Sequence, residues 1–417
     1  MMASSLKGIS KILWFLILLC LVFSHIYSFK LRIIPVPSRA LVGIFGLIFL
    51  MCRFSFGAKL VIKNREKVVL FLFMALLGHT SLTSLYNVNL DVYYLKHIGN
   101  DFLGFSGVFL LGYVYKKQYK IFTFLSIVKI IAFTTIIQLL FTVGRYLFSD
   151  VNDFLNFFFL SSSWSEEINI AKGARLIGIG SAYFGSGCIN SFILIIIAYL
   201  ITNEKLSKLE NLYILFAWLI IALVAPFMAR TAFTGIIISL YIFLTHFLYK
   251  KINIIKKVAY IFLFVLIFIF GFFSITNNIK QSETLVLQQT KKMLDDPFQY
   301  AYFYSGFSEN TMWAFPTKFK TLLIGDAKLN NSDTSYYMNT DFGYCRIIFY
   351  SGLIGLILTL LLQLTFIYFV AKKITANHRS LFYLLSFLFL ILNIKGIFSI
   401  IPIASQFLLI DSNRIKN

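Results

Sequence analysis

What most constrains this chain is the recurrence, from one end to the other, of apolar runs separated by short polar stretches. Each is about as long as the ~20-residue helix that crosses a bilayer. One water-soluble core cannot absorb so much apolar surface: of 417 residues 59% are hydrophobic and only 13% charged, with 48 Phe and 23 Tyr, so the excess must face lipid. Inside lipid every backbone group needs an internal partner, which leaves helices or a closed barrel. Continuous runs such as residues 260–273 do not alternate in polarity as barrel strands do. The expectation is therefore an all-α integral membrane protein.

Twelve spans are expected, at roughly residues 10–29, 39–56, 67–85, 98–115, 120–142, 176–202, 210–228, 231–249, 257–275, 343–370, 379–394 and 397–412. Residues 1–275 then hold nine of them, residues 276–342 form one long external loop, and residues 343–417 hold the last three. The first run follows Lys7 and Lys11 but lacks a small-x-small cleavage site before the next span, so it reads as an uncleaved helix.

The net charge of +21 would suggest nucleic acid in a soluble protein, but here its placement argues otherwise. Lys116-Lys117, Lys250-Lys251, Lys256-Lys257 and Lys372-Lys373 sit between apolar runs, as the basic clusters of cytoplasmic loops do, and no nucleic-acid partner is needed. With the N-terminus inside, the basic connections at 53–67, 116–120, 250–257 and 372–379 all fall inside, and both termini are cytoplasmic. The connection carrying Lys30, Arg32 and Arg39 disagrees, since it falls outside. The longest connection, residues 276–341, also falls outside. Its Ile279, Leu285, Leu287 and Leu294 follow a helix-compatible pattern, and Trp313 and Phe315 point to a second, partly buried piece.

Arg145, Arg175, Arg230 and Arg346 lie at what this topology makes the outer ends of helices, against the positive-inside bias. A guanidinium fork binds phosphate oxygens bidentately and stays charged at any accessible pH, so the set suits a lipid-attached phosphate or diphosphate. For any single arginine, snorkelling to the interface explains the position as well. Arg175 opens a small-residue helix in which Gly178, Gly180, Gly185 and Gly187 allow close approach of another helix or a lipid chain. Arg230 sits in the tight turn Ala229-Arg230-Thr231-Ala232. Asp341, before an apolar run, reads either as a general base or as a helix N-cap.

Lys129, inside the fifth span, is either functional or snorkels inward beside Lys120; Glu166 and Glu167 read either as solvated or as contacts to sugar hydroxyls. His79 and His97 read either as packing residues or as functional histidines outside the long loop; Cys20, Cys52, Cys188 and Cys345, which show no CxxC spacing, read as packing residues. The outer loop holds no DxD-like acidic pair for a metal, and nothing implies a cofactor.

Three stretches resemble one family. They are the Arg175 helix with its glycines, the turn Met228-Ala229-Arg230-Thr231-Ala232, and a bipartite motif. The last runs Leu322-Leu323-Ile324-Gly325-Asp326, then Thr340-Asp341-Phe342-Gly343-Tyr344-Cys345-Arg346, and ends in Ser351-Gly352-Leu353-Ile354-Gly355, with Asn393-Ile394-Lys395 near the end of the chain. Over roughly residues 175–395 the chain resembles the bacterial O-antigen and capsular repeat-unit polymerases (Wzy), relatives of the O-antigen ligases.

The resemblance implies a multi-pass glycosyltransferase of the C type (GT-C) in the bacterial cytoplasmic membrane. Its donor and acceptor would be undecaprenyl-diphosphate-linked oligosaccharides, and a chain-length regulator protein is a candidate partner. On it, Arg175, Arg230 and Arg346 stabilise the departing diphosphate, Arg145 and Lys395 add to substrate binding, and Asp341 activates the acceptor hydroxyl. The related ligases are expected to carry a functional histidine in the long outer loop, and residues 276–341 contain none, which favours polymerase over ligase. A flippase for the same lipid is a third reading. It would be expected to show repeat symmetry and mid-membrane charge rather than charge at the outer ends.

Overall fold

The computed structural model describes residues 2–56, 64–89, 91–119, 121–160, 176–180, 183–249, 314–331, 336–375 and 377–410. Its helices are α1 (Met2–Tyr27), α2 (Ser38–Ser55), α3 (Asn64–Tyr86), α4 (Tyr93–Gln118), α5 (Phe124–Leu147), α6 (Ser149–Phe158) and α7 (Tyr183–Asn203). After these come α8 (Lys208–Met228), α9 (Ala232–Tyr249), α10 (Phe319–Leu323), α11 (Gly343–Ile374), α12 (His378–Lys395) and α13 (Ile401–Ala404). The one sheet among the described residues is a two-residue antiparallel ladder, β1 (Lys30–Leu31) against β2 (Phe159–Leu160).

Eight helices, α1, α2, α3, α5, α7, α8, α11 and α12, are long and apolar enough to cross a bilayer, and the protein is a multi-pass membrane protein. The apolar stretch of α9, Ala232–His246, is shorter, and α4 carries Lys96, Asp101, Lys116 and Lys117. The expected span at 257–275 lies outside the described residues, as do Lys250-Lys251, Lys256-Lys257, Glu166, Glu167 and the 276–313 part of the long connection.

Two expected spans need correction. Residues 176–180 are not helical: Leu176 donates its N–H to Phe227 O at 3.2 Å, Gly180 takes φ +75°, and the helix begins only at Tyr183. Glycine is the poorest helix former after proline, so a run this rich in it gives up its first turns readily. Residues 397–412 likewise form no continuous helix. After Gly396 the chain is extended, forms α13 with Pro402 in its first turn, and continues as a 3-10 turn over Ser405–Leu409.

Nearly all of residues 398–407 are buried. Irregular backbone survives at such depth only when protein groups satisfy it. Here they do. Gln363 Nε2 donates to Ser399 Oγ at 2.8 Å while its Oε1 accepts from Ile400 N–H at 3.2 Å. Asn393 exchanges hydrogen bonds with Phe398 O and N–H, and Lys373 Nζ donates to Ile410 O at 2.7 Å.

The chain divides into two compact units, one of Met1–Ser28, Val36–Ile127 and Glu309–Asn417, the other of Phe29–Pro35 and Val128–Ser308. In the second unit α7 is buried from Ser186 through Leu200, as a helix apolar on every side must be. α8 and α9 pack on it, and close approach is set by small residues: Gly187 faces Ala229 and Thr231, and Gly235 backs onto Ser191. A capping box of Ser207 and Glu210 starts α8. Lys129 pairs with Glu210 at 2.6 Å, so it has a partner within its own unit rather than snorkelling alone.

In the first unit α2 lies along α4 with Gly43 against Leu103 and Gly46 against Ser106. Arg39 donates to His25 O and Ile26 O at the end of α1, satisfying carbonyls that a helix terminus leaves open. One of the three basic residues on the discordant connection is thus in structural use. α3 and α12 pack on α11. Cys188 and Cys345 are buried as expected, whereas Cys20 and Cys52 are exposed on apolar helices, so lipid-facing rather than core packing describes them.

α11 is two helices meeting at Gly352, whose φ +66° and ψ −173° belong to a region open to glycine alone. The apolar run expected as one span therefore divides. The first nine residues form a separate buried piece, and the spanning length starts after the glycine.

Candidate functional site

The kink at Gly352 leaves the last carbonyls of the first α11 segment without helical partners. The segment after α10 supplies them: Asp326 N–H donates to Phe349 O at 2.7 Å and Ala327 N–H to Tyr350 O at 3.0 Å. The end of α3 holds the same segment from its other side. Thr83 Oγ1 reaches Ile324 O at 3.4 Å, Asn87 Nδ2 donates to Gly325 O at 3.1 Å, and His79 Nε2 donates to Ser351 O at 2.8 Å. His79 is thus a packing residue. So is His97, stacked on Tyr94.

Asp91 fastens the next stretch. Its Oδ2 accepts from Leu329 N–H at 2.6 Å and Asn330 N–H at 3.1 Å, while Oδ1 accepts from Tyr93 N–H at 3.0 Å at the start of α4. Tyr350 hydroxyl donates to Asp91 O at 2.6 Å and lies 3.1 Å from Ser84 Oγ. Residues 324–330 are thereby held on α11 by main-chain bonds, and on the end of α3 and on Asp91, just before α4, by side chains. The second piece expected in the long connection exists, but Phe315 is exposed and does not bury it; Thr321, Ala327, Leu329 and Thr340 do.

Arg346 rises from the first turn of α11 onto this platform. Its guanidinium carbon lies 4.0 Å from the centre of the Tyr336 ring, Nη2 reaches Asn330 Oδ1 at 3.5 Å, and the buried Nε has no hydrogen-bond partner. No carboxylate among the described residues comes within ion-pair distance of it. Asp341 stands before the helix without capping it. Phe342 is the N-cap, and the hydroxyl of Thr340 takes the Phe342 N–H instead. The Asp341 carboxylate faces Lys395 Nζ at 3.8 Å, and burial pushes its pKa up against the opposing pull of Lys395 and Arg346. Asp341 and Arg346, neighbours in one motif, therefore meet Lys395 from a distant part of the sequence within one unit.

Nothing further is added to this cluster from its own unit by the other expected residues. Arg145 and Arg230 belong to the second unit, and Arg175 lies outside the described residues. Arg145 is engaged at the end of α5, its fork donating to Asn152 Oδ1 at 3.0 Å and Asn156 Oδ1 at 2.5 Å on α6. Arg230 is half-buried in the turn between α8 and α9, where Ala232 N–H donates to Ala229 O at 3.0 Å.

Beside the Arg346 platform opens a cavity of about 680 Å³ lined by Asn87, Asn89, Lys318, Asp326, Lys328 and Tyr337, among others. Asp326 is bound on both oxygens, by Thr321 Oγ1 at 2.8 Å and Tyr337 hydroxyl at 3.3 Å. Burial and the Asp326 charge together raise the Tyr337 pKa.

Sequence reasoning gave no role to Asp91, Asp326, Asn330, Tyr336 or Tyr337. Polar residues at alternate positions, Asn87, Asn89 and Asp91, in an otherwise apolar chain were the available signal for the first. Among the described residues no cluster of His, Cys, Asp and Glu could hold a metal ion. Comparison with protein-family models, curated proteins and solved structures yields no match for this chain.

Proposed function

We propose that the protein is a glycan polymerase of the GT-C kind, joining lipid-diphosphate-linked oligosaccharide repeat units at the outer face of a bacterial cytoplasmic membrane. The observation that carries this reading is Arg346, a half-buried cation stacked on Tyr336 with an unmet Nε–H and no ion-pair partner among the described residues, next to the Asp341–Lys395 pair. A half-buried arginine with a buried donor to spare is matched by an anion with several oxygens.

In the proposed reaction an acceptor sugar hydroxyl attacks the anomeric carbon of the donor glycan. The new C–O bond forms as the bond to the lipid diphosphate breaks; Asp341 receives the hydroxyl proton, and the diphosphate departs with the bonding electron pair. Arg346 stabilises the charge growing on the leaving oxygen, and Lys395 favours the ionised form of Asp341 against the burial that opposes it. The diphosphate already activates the anomeric carbon, so no redox step enters.

Deletion of the gene, followed by gel analysis of surface glycan, tests the proposal. A polymerase null leaves a single repeat unit on the surface lipid, whereas loss of a ligase or flippase removes even that. An unchanged glycan ladder would refute the reading.

A further inference from the structure

We infer that the 680 Å³ cavity beside Arg346 binds an acidic sugar, one bearing a carboxylate or phosphate. The identification of the ligand as a saccharide rests on the proposed glycan function; the selection for negative charge rests on the cavity itself. Its volume falls within the ~300–1,000 Å³ that ligand pockets occupy.

The polar groups on its wall divide into two sets. Asp326, Thr321, Asn87 and Asn89 are occupied with one another, with Lys320 and with neighbouring backbone: Asn87 Oδ1 accepts from Lys320 Nζ at 2.7 Å, and Asn89 Oδ1 accepts from Asp91 N–H at 3.2 Å. Lys318 and Lys328 are not so occupied. Both are exposed on the lining, and no carboxylate among the described residues lies within ion-pair distance of either ammonium. Lys328 sits 5.8 Å from the centre of the Tyr337 ring, which itself stands edge-on to Phe349. The lining thus combines two exposed ammonium groups, one of them over the Tyr337 ring, with hydrogen-bonding amides, a combination suited to a sugar ring with an anionic substituent.

The lining also includes residues of unusual backbone conformation. Val88, Ala327, Met338 and Asn339 all take left-handed φ, between +47° and +55°, and Val88 and Met338 line the cavity. Arg346, Asp341 and Lys395 are not on the lining, so the cavity is a separate compartment from the diphosphate site.

The test uses the full chain in detergent micelles and two probes, a glucuronate-containing disaccharide and its carboxyl-reduced neutral counterpart, followed by saturation-transfer NMR and titration. The acidic disaccharide should bind about tenfold more tightly than the neutral one, with the preference shrinking as salt rises. Lys318→Gln combined with Lys328→Gln should erase the preference; both side chains are exposed, and the wild-type comparison stands without the variant. Equal binding of the two probes, or no binding of either, overturns the inference. So does inorganic pyrophosphate displacing the acidic disaccharide from wild type and double variant alike, because the anion site would then be that of the lipid carrier. None of these outcomes depends on polymerisation, so a failed deletion experiment and a failed binding experiment remain distinguishable.

Discussion

Gly325 and Gly352 interlock: a Cβ on Gly325 would strike the carbonyl of Tyr350, and one on Gly352 the carbonyl of Leu323. The crossing lets Asp326 and Ala327 cap the broken helix, and it sets where Arg346 stands. Gly352→Ala should therefore cost about 1–3 kcal/mol in backbone strain alone. The clash should also release the segment after α10. Thermal unfolding in detergent should show a lowered Tm, and amide exchange at Asp326 and Ala327 should speed up. Unchanged exchange at those two amides would show that the crossing does not hold the loop.

Arg346 lies over the Tyr336 ring and carries a planar fork of N–H donors, one of them unmet, and a lysine ammonium has no such fork. In Arg346→Lys the charge remains, yet polymerisation by reconstituted protein should fall at least about tenfold, given the ~100-fold loss typical of removing one charge-stabilising donor. The stack is worth only about 0.5–1 kcal/mol, so Tm should hardly move. Full activity in this variant would exclude a bidentate contact to the leaving diphosphate.

Asp341 gives a pH prediction with a definite sign. Burial raises its pKa while Lys395 and Arg346 hold it down. As the proton acceptor it works only when ionised, so activity should fall on the acid side through a pKa above the ordinary carboxylate value of about 4. Lys395→Met removes one of the groups that keep it ionised, so the acid limb should move to higher pH, with the alkaline side unchanged. For stability the sign is opposite: a raised carboxyl pKa favours the fold most when the group is protonated, and that contribution is lost as pH rises through the folded pKa. A pH–rate profile identical in wild type and Lys395→Met would argue against Asp341 as the base.

The membrane character was plain from apolar runs, because hydropathy reads the composition of a helix directly, and α1 through α3, α5, α8 and α12 fall close to where those runs lie. Hydropathy is blind to how a run is divided. Residues 343–374 look like one long helix, but the single residue Gly352 breaks them, and a glycine inside an apolar stretch carries no sign of the φ it will take. The meeting of Asp341 with Lys395 was open to motif reading only as two separate stretches, since their approach depends on α12 folding back along α11. Asp91 was harder to find: its partners are the amides of Leu329 and Asn330, and a backbone N–H has no residue type to recognise.

The stretch after Gly396 shows the same blindness in a form that can be measured. Its apolar residues resemble a twelfth span, yet its backbone is unwound over residues 396–400 and depends on Gln363, which pairs with both Ser399 and Ile400. Gln363→Leu keeps the side chain's approximate volume and leaves the Ile400 N–H, buried among apolar neighbours, without an acceptor. An unmet buried donor costs about 1–3 kcal/mol. At membrane depth no water replaces the lost partner, so the unwound turn should loosen rather than rehydrate. Tm should drop accordingly, and amide exchange should accelerate at Ile400 and Ile401 while the middle of α12 stays protected. If both amides exchange as slowly as in wild type, the broken segment is held by the packing of Ile400, Ile401 and Phe407 and not by Gln363.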